Sequence, residues 1–212
     1  MNTPVPTSFL NPDLTARQRD LVQGALRLLD RDGLDGFTMR SLASEIGLSP
    51  MAAYKHFDNQ RELQLEVWSA CMDALYQRTV EVAAAAADPA TAFIDLCREF
   101  VVYATTYPNR FELLFNHPFV REVRAESRLD PARFCVWEVA NTCIARAQES
   151  GLFRRDVAAS ALAMAAYSML HGLSYCLVSG RVRFTTAMEQ DEAIRMGLMV
   201  IEDSLTKRAD PV

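Results

Sequence analysis

Residues 47–57, GLSPMAAYKHF, place a glycine, a serine and a proline just ahead of Tyr54, Lys55 and His56. Hydroxyls, a cation and an imidazole crowded onto one short segment suit contact with a polyanion better than bond-breaking chemistry. The residues upstream supply what such a segment needs. Thr38 precedes MRSLASEIG, and its hydroxyl is placed to cap a short helix. Ala43 and Gly47 lie four apart, a small residue where two helices cross and then a glycine free to adopt positive φ in the turn between them. Ser49 then caps a second helix and Pro50 opens it. Leu42, Ile46, Leu48 and Phe57 supply the apolar side that packs the pair against a supporting helix. This is the pattern of a helix-turn-helix, whose second helix enters the major groove of DNA.

Other chemistries find little to work with. The three histidines, His56, His117 and His171, have no cysteine or carboxylate at ligand spacing, so no metal is expected. No nucleophile elbow, paired His and acid motif or phosphate loop is present, and neither an enzyme nor a cofactor is expected. Five cysteines, Cys71, Cys97, Cys135, Cys143 and Cys176, sit apart in apolar surroundings without a CxxC pair. They read as reduced, buried thiols of a cytoplasmic protein.

The elements that must position the segment can be read from punctuation. In this 212-residue chain, Ser49-Pro50, Asp88-Pro89, Tyr107-Pro108, His117-Pro118 and Asp130-Pro131 mark helix starts. About nine helices follow, over 13–31, 38–45, 49–56, 59–86, 89–106, 108–124 with a break at Pro118, 131–150, 157–179 and 186–207. Alternating β-branched runs are nearly absent, so the fold class is all-α: a three-helix head and a larger helical body. Leu14, Leu21, Ala25, Leu28 and Leu29 form the apolar stripe of the first helix. Residues 1–12, with three prolines, read as a flexible arm, 13–58 as the head and 59–212 as the body. The expectation is that no apolar stretch approaches the roughly 20 residues that cross a bilayer, and no membrane partner is expected.

The stretch GLDGFTMRSLASEIGLSPMAAYKHFDNQREL, residues 33–63, resembles the DNA-binding head of the tetracycline-repressor (TetR) family, and the likeness extends over about 17–63. The resemblance implies a homodimeric transcriptional regulator, usually a repressor, released from a palindromic double-stranded operator when a small molecule binds the body. It assigns Thr38, Arg40, Tyr54, Lys55 and His56 to the DNA face. Pro50, Met51, Ala52 and Lys55 are then the residues facing base edges, and Ser49 at the same helix end completes the set. Tyr54 and His56 have a second reading, as residues that pack or cap the head.

Net charge is −5, yet residues 1–65 hold seven Lys and Arg against eight Asp and Glu, so the head is nearly neutral. Phosphate binding depends on where the cations sit, and amides at helix ends add to it. Three of the four base-facing residues cannot donate a side-chain hydrogen bond. Readout is therefore expected through thymine methyls, through Lys55 to guanine or phosphate, and through DNA shape. The family commonly has lysine at the position of Gln60, and its loss predicts fewer phosphate contacts.

YPNRFELLF (107–115) and LHGLSYCLVSGRV (170–182) resemble segments of a TetR subfamily named for a Trp-His-Gly signature, with Leu170 in place of the tryptophan. Most body aromatics must be core. Phe100, Tyr103, Phe111, Trp137, Tyr167, His171 and Tyr175 are the candidates for an effector pocket, suited to an apolar or aromatic molecule with one hydrogen-bonding group. The family pairs its last two helices with those of a second copy, and the apolar residues Ile194, Met196, Leu198, Met199, Ile201 and Leu205 favour that here. The competing class is an all-α ligand-binding protein or enzyme with a vestigial head.

Overall fold

Nine α-helices and no strand are found among the described residues, 5–116 and 136–206, of a computed structural model. The helices are α1 (Ala16–Gly36), α2 (Met39–Glu45), α3 (Pro50–Ala53), α4 (Gln60–Ala85) and α5 (Pro89–Thr106). There follow α6 (Pro108–Phe111), α7 (Val136–Glu149), α8 (Ala159–Val178) and α9 (Ala187–Thr206). A single π-helical turn, Glu112–Asn116, continues α6. The expected starts at His117-Pro118 and Asp130-Pro131, the break at Pro118 and Cys135 lie outside the described residues.

The proline starts act as the sequence suggested. Asp88 caps α5, its Oδ1 accepting from the amides of Ala90 and Thr91 at 2.9 Å each. Helix α1 begins later than expected because Thr15 and Gln18 close a capping box there. It is interrupted at Gly33, whose φ of 71° belongs to the left-handed region, and a further turn carries the chain to Gly36. Helix α3 is shorter than the expected 49–56. After Ala53 the amides of Lys55 and His56 bond back three residues, to Ala52 and Ala53, which tightens the chain. Phe57 then leaves the helical path and is buried.

The expectation of a flexible arm over 1–12 is corrected in its described part. Val5 and Leu10 are buried, Gln23 Nε2 donates to the Val5 carbonyl at 3.0 Å, and Arg19 Nη2 donates to that of Pro12 at 2.9 Å. Two apolar anchors and two backbone tethers hold this stretch on α1, and a short 3-10 turn (Thr7–Phe9) lies between the anchors.

The chain divides into two compact units. The first holds α1, α2, α3, α4 as far as Tyr76, and, among the described residues, the segment 107–116 with α6. This division differs from a single cut after residue 58, for a physical reason. Leu63, Val67, Trp68 and Cys71 of α4 are buried, and Arg110 of α6 is buried in an ion pair with Asp30 of α1. The whole expected stripe of α1, Leu14, Leu21, Ala25, Leu28 and Leu29, is buried.

The second unit holds the rest of α4, α5, α7, α8 and α9, with α5 packed on α7, α8 and α9. Phe93, Leu96, Val101, Ile144, Leu170 and Ile201 form part of its core, where Phe93 meets Phe153 edge-on at 6.2 Å. Gly197 lets α9 approach α8 closely, since a Cβ there would lie 2.8 Å from Leu173 Cδ2. Helix α8 corrects one expectation. Its 20 residues are long and apolar enough, by length and composition, to cross a membrane. Its exposed side, with Met164 and Met169, is dominated by small and apolar residues.

Candidate nucleic-acid interface

Three local devices fix the helix-turn-helix. Thr38 caps α2, its Oγ1 accepting from the Ser41 amide at 3.1 Å while the Ser41 hydroxyl accepts from the Thr38 amide at 3.0 Å. At the other end of α2, the Leu48 amide reaches the Ala43 carbonyl at 2.8 Å and the Gly47 amide the Ser44 carbonyl at 3.3 Å. With Gly47 at φ +70°, this is a Schellman ending that reverses the chain directly into α3. Ser49 Oγ then accepts from the Ala52 amide at 3.2 Å, with Pro50 in the first turn.

Behind these devices, Leu42, Ala43, Ala53 and Phe57 are buried. Full burial of a Leu or Phe side chain stabilises by about 2 kcal/mol, so this small hairpin is held from within. A residue the sequence reading missed completes the joint. A Cβ on Gly24 of α1 would stand 2.6 Å from Ile46 Cγ2 and 3.1 Å from Leu42 Cδ1, so only glycine lets α1 and α2 cross here. The hint in the sequence was a glycine spent inside an otherwise good helix.

The outer surface then follows. Thr38, Arg40, Ser49, Pro50, Met51, Tyr54 and Lys55 are exposed, Met51 at 75% and Tyr54 at 50%, while Ala52 and His56 are half-buried. The His56 carbonyl accepts from Gln18 Nε2 at 3.0 Å, which ties the end of this segment back to α1. The nine residues read from the sequence thus lie on α2, α3 and the turns beside them. Met51 at the tip of this four-residue helix offers an apolar side chain to whatever surface the helix meets.

Charge is partitioned in a way that composition hides. Arg27 and Arg31 converge on Glu45, at 3.3 Å and 2.9 Å, and Arg31 also pairs with Asp32 at 2.8 Å. These contacts hold the Glu45 and Asp32 carboxyls below their ordinary range and push the Arg31 guanidinium upward. Asp30 is bound by Arg110. Four of the head's eight acids, Asp20, Asp30, Asp32 and Glu45, are therefore matched by cations among the described residues, whereas no described residue pairs with Arg40 or Lys55. Gln60 has its own task. Its Nε2 donates to the Phe37 carbonyl at 2.8 Å, joining the start of α4 to the turn before α2.

In the second unit, four of the expected effector residues come together on three helices. Phe100 of α5 lies 6.0 Å from both Tyr167 and His171 of α8, and Trp137 of α7 meets Tyr167 edge-on at 6.0 Å. Tyr167 and His171 are 5.2 Å apart. Burial lowers the His171 pKa, which keeps the imidazole neutral at neutral pH. Tyr103 is buried on α5, and Tyr175 lies half-buried under the Arg181 guanidinium at 5.3 Å. Phe111 is a correction. It is fully buried in the first unit, 5.1 Å from Phe115, because Pro108 opens α6 there.

Two polar residues near these positions were not read from the sequence, Asn141 of α7 and Ser174 of α8. Asn141 Oδ1 and Ser174 Oγ are buried without a hydrogen-bond partner among the described residues. The signal was present in the register, since Asn141 is four residues after Trp137 and Ser174 seven after Tyr167. Two of the thiols are held protonated by contrast: burial pushes Cys71 and Cys97 up to about 12.

Comparison with known proteins bears on both units. Residues 21–67 match the family described as bacterial regulatory proteins, tetR family. Residues 93–199 match the tetracyclin repressor-like C-terminal domain. An uncharacterised HTH-type transcriptional regulator of Mycobacterium tuberculosis (strain ATCC 25618 / H37Rv) is 28% identical over 111 residues, covering 52% of this chain. The chain spans about half the length of that relative, 50%.

Among solved structures, a protein of unknown function from Rhodococcus sp. RHA1 superposes with a TM-score of 0.73 at 23% identity, covering 92% of this chain and 98% of that one. A putative transcriptional regulator from Saccharomonospora viridis, in complex with choline, gives 0.73 at 20% identity, covering 91% and 98%. The Thermus thermophilus repressor FadR, in complex with lauroyl-CoA, gives 0.59 at 14%, covering 92% and 98%. At these identities the likeness is one of fold.

Proposed function

Since the chain belongs to the TetR family of bacterial transcriptional regulators, we propose that it is a homodimeric repressor that a small apolar or aromatic effector releases from a palindromic operator. The observation that carries this reading is the exposed tip of α3. Met51, Tyr54 and Lys55 stand out from a hairpin that two caps, a Schellman turn and a glycine crossing hold rigid. Arg40 and Lys55 reach phosphate or guanine, the Ser49 end of α3 approaches the backbone, and Pro50, Met51 and Ala52 lie against thymine methyls.

Dimer formation through α8 and α9 is supported by the side chains these helices expose. Met164 and Met169 of α8 and Met196, Met199 and Val200 of α9 leave apolar surface in water, which a second copy would cover as a four-helix bundle. Two-fold symmetry then sets two α3 helices about one DNA turn apart. The aromatic cluster of Phe100, Trp137, Tyr167 and His171 is the proposed effector site, and the protein would act in the cytoplasm, where its DNA is. Effector binding releases DNA by favouring the conformer with the weaker operator affinity.

A gel shift with the DNA upstream of the protein's own gene tests the reading. Wild type binds and Tyr54→Ala, still folded and dimeric, loses at least tenfold in affinity. Equal retardation by the variant, or none by wild type, sinks it.

A further inference from the structure

We propose that residues 5–14 are a strap that fixes α1 on α4, and that through it Asn11 and Glu66 determine which half-site spacing the dimer accepts. This rests on the reading of a dimer on a two-fold operator. It goes beyond that reading by assigning spacing selectivity to a stretch that lies ahead of the family match at 21–67.

The strap holds to two helices. Val5, Leu10 and Leu14 are buried, and the carbonyls of Val5 and Pro12 accept from Gln23 Nε2 and Arg19 Nη2 of α1 at 3.0 Å and 2.9 Å. Asn11 makes the tie to α4. Its Oδ1 accepts from the Asp13 amide at 3.1 Å, an Asx turn that orients the side chain, and its Nδ2 donates to Glu66 Oε1 at 3.3 Å. Both ends of the amide are therefore used. The same geometry shows that the strap is not an arm reaching for DNA. Pro12 lies beside Arg19 and Val5 beside Gln23, about one turn further along α1, so the strap runs antiparallel to that helix. Gln18, near the start of α1, holds the His56 carbonyl at the end of the DNA-facing segment. Followed back from Pro12 to Val5, the chain moves along α1 away from that contact.

The attachment to α4 bears on DNA because α4 carries the helix-turn-helix at two polar points. Gln60 Nε2 donates to the Phe37 carbonyl just ahead of α2, and Glu66, further along the same helix, receives Asn11 of the strap. One point holds the turn that leads into α2, the other holds the strap at the start of α1. Helix α1 in turn crosses α2 closely at Gly24 and grips the His56 carbonyl. Helix α4 is continuous from Gln60 to Ala85, and its residues from Gln77 on belong to the second unit. With α1 locked on α4, each α3 is presented in one orientation, and a dimer of such heads loses little freedom on the matching spacing and is strained on any other. One base pair inserted between the half-sites shifts one of them by about 3.4 Å and turns it by about 35°. A head free to swivel on α4 follows that change, and a strapped head does not.

Anisotropy titrations of the full-length protein test this, using the fragment protected upstream of its own gene and the same fragment with one base pair inserted or removed between the half-sites. Wild type binds the altered spacings at least about tenfold more weakly, a penalty comparable with one mismatched base pair. Asn11→Asp sets a second carboxylate against Glu66, and the ratio between native and altered spacings falls several-fold. Asn11→Asp/Glu66→Gln puts donor and acceptor back in exchanged positions and restores the ratio. Each ratio is taken on one protein, so a general loss of stability or of phosphate attraction leaves it unchanged. The proposal is overturned if wild type accepts all three spacings alike, if Asn11→Asp keeps the wild-type ratio, or if the exchange does not restore it. The two readings separate: a spacing preference that Asn11→Asp leaves intact discards the strap and keeps the dimeric regulator, whereas no binding upstream by wild type discards both.

Discussion

Replacing Asp30 by leucine should unfold the first unit far more readily than any surface substitution in it. Arg110 Nε and Nη2 donate to Asp30 Oδ1 and Oδ2 at 2.7 Å and 2.6 Å, with side-chain exposures of only 5% and 14%. The guanidinium also lies 4.4 Å above the Tyr107 ring, and Asn109 Nδ2 donates to the Asp30 carbonyl at 3.2 Å beside the left-handed Gly33. Asp30→Leu leaves this guanidinium buried without its carboxylate, and breaking one side of such a pair costs about 3–5 kcal/mol. The Arg27–Glu45 and Arg31–Glu45 pairs set the contrast, since both arginines are exposed and Glu45→Gln should cost far less. The double variant Asp30→Leu/Arg110→Met removes both charges and should recover most of the loss. Urea unfolding in a Trp137→Phe background leaves Trp68, which belongs to the first unit, as the tryptophan reporter. A loss below about 1 kcal/mol for Asp30→Leu, or a double variant as unstable as the single one, would refute the reasoning.

Two further outcomes follow from named groups. Hydrogen bonds from Thr91 and from the Ala90 amide hold the Asp88 carboxyl below its ordinary value of 3.8. A depressed carboxylate stabilises the fold above its unfolded pKa and loses that contribution as pH falls through the folded one. Acid unfolding below about pH 4 should therefore weaken in its pH dependence in Asp88→Asn, as read by helical circular dichroism; an unaltered profile would contradict it. At the DNA face, replacing thymine by uracil across the operator half-sites removes the methyl groups that Met51 and Ala52 would cover. Binding should fall several-fold in anisotropy titrations, and unchanged affinity would discard methyl readout.

The local features were legible because each depends on neighbours in the chain. Thr38 with Ser41, Ser49 with Pro50, Gly47 four residues after Ala43 and Asp88 before Pro89 all show their partners within a few positions. The TetR resemblance over 33–63 rests on the first three of these, and the family match at 21–67 spans them. What escaped depends on partners distant in sequence. Gly24 looks like a weakness in a helix until Ile46 is seen 2.6 Å from its missing Cβ. Asp30 and Arg110 are 80 residues apart, and neither announces the other. Val5 and Leu10 read as part of a proline-rich arm until their burial is seen. Phe111 was assigned by residue type to a pocket, where only the position of α6 could tell that it fills the core of the first unit. The length of α3 was equally out of reach, because Phe57 must leave the helix to reach that core.

Footprinting of the DNA upstream of the protein's own gene, with wild type and Tyr54→Ala side by side, tests the central claim most directly. The account predicts two protected half-sites with centres about one helical turn apart, related by a two-fold axis and lost in the variant. Protection of a single half-site, protection that survives in Tyr54→Ala, or none at all would contradict it.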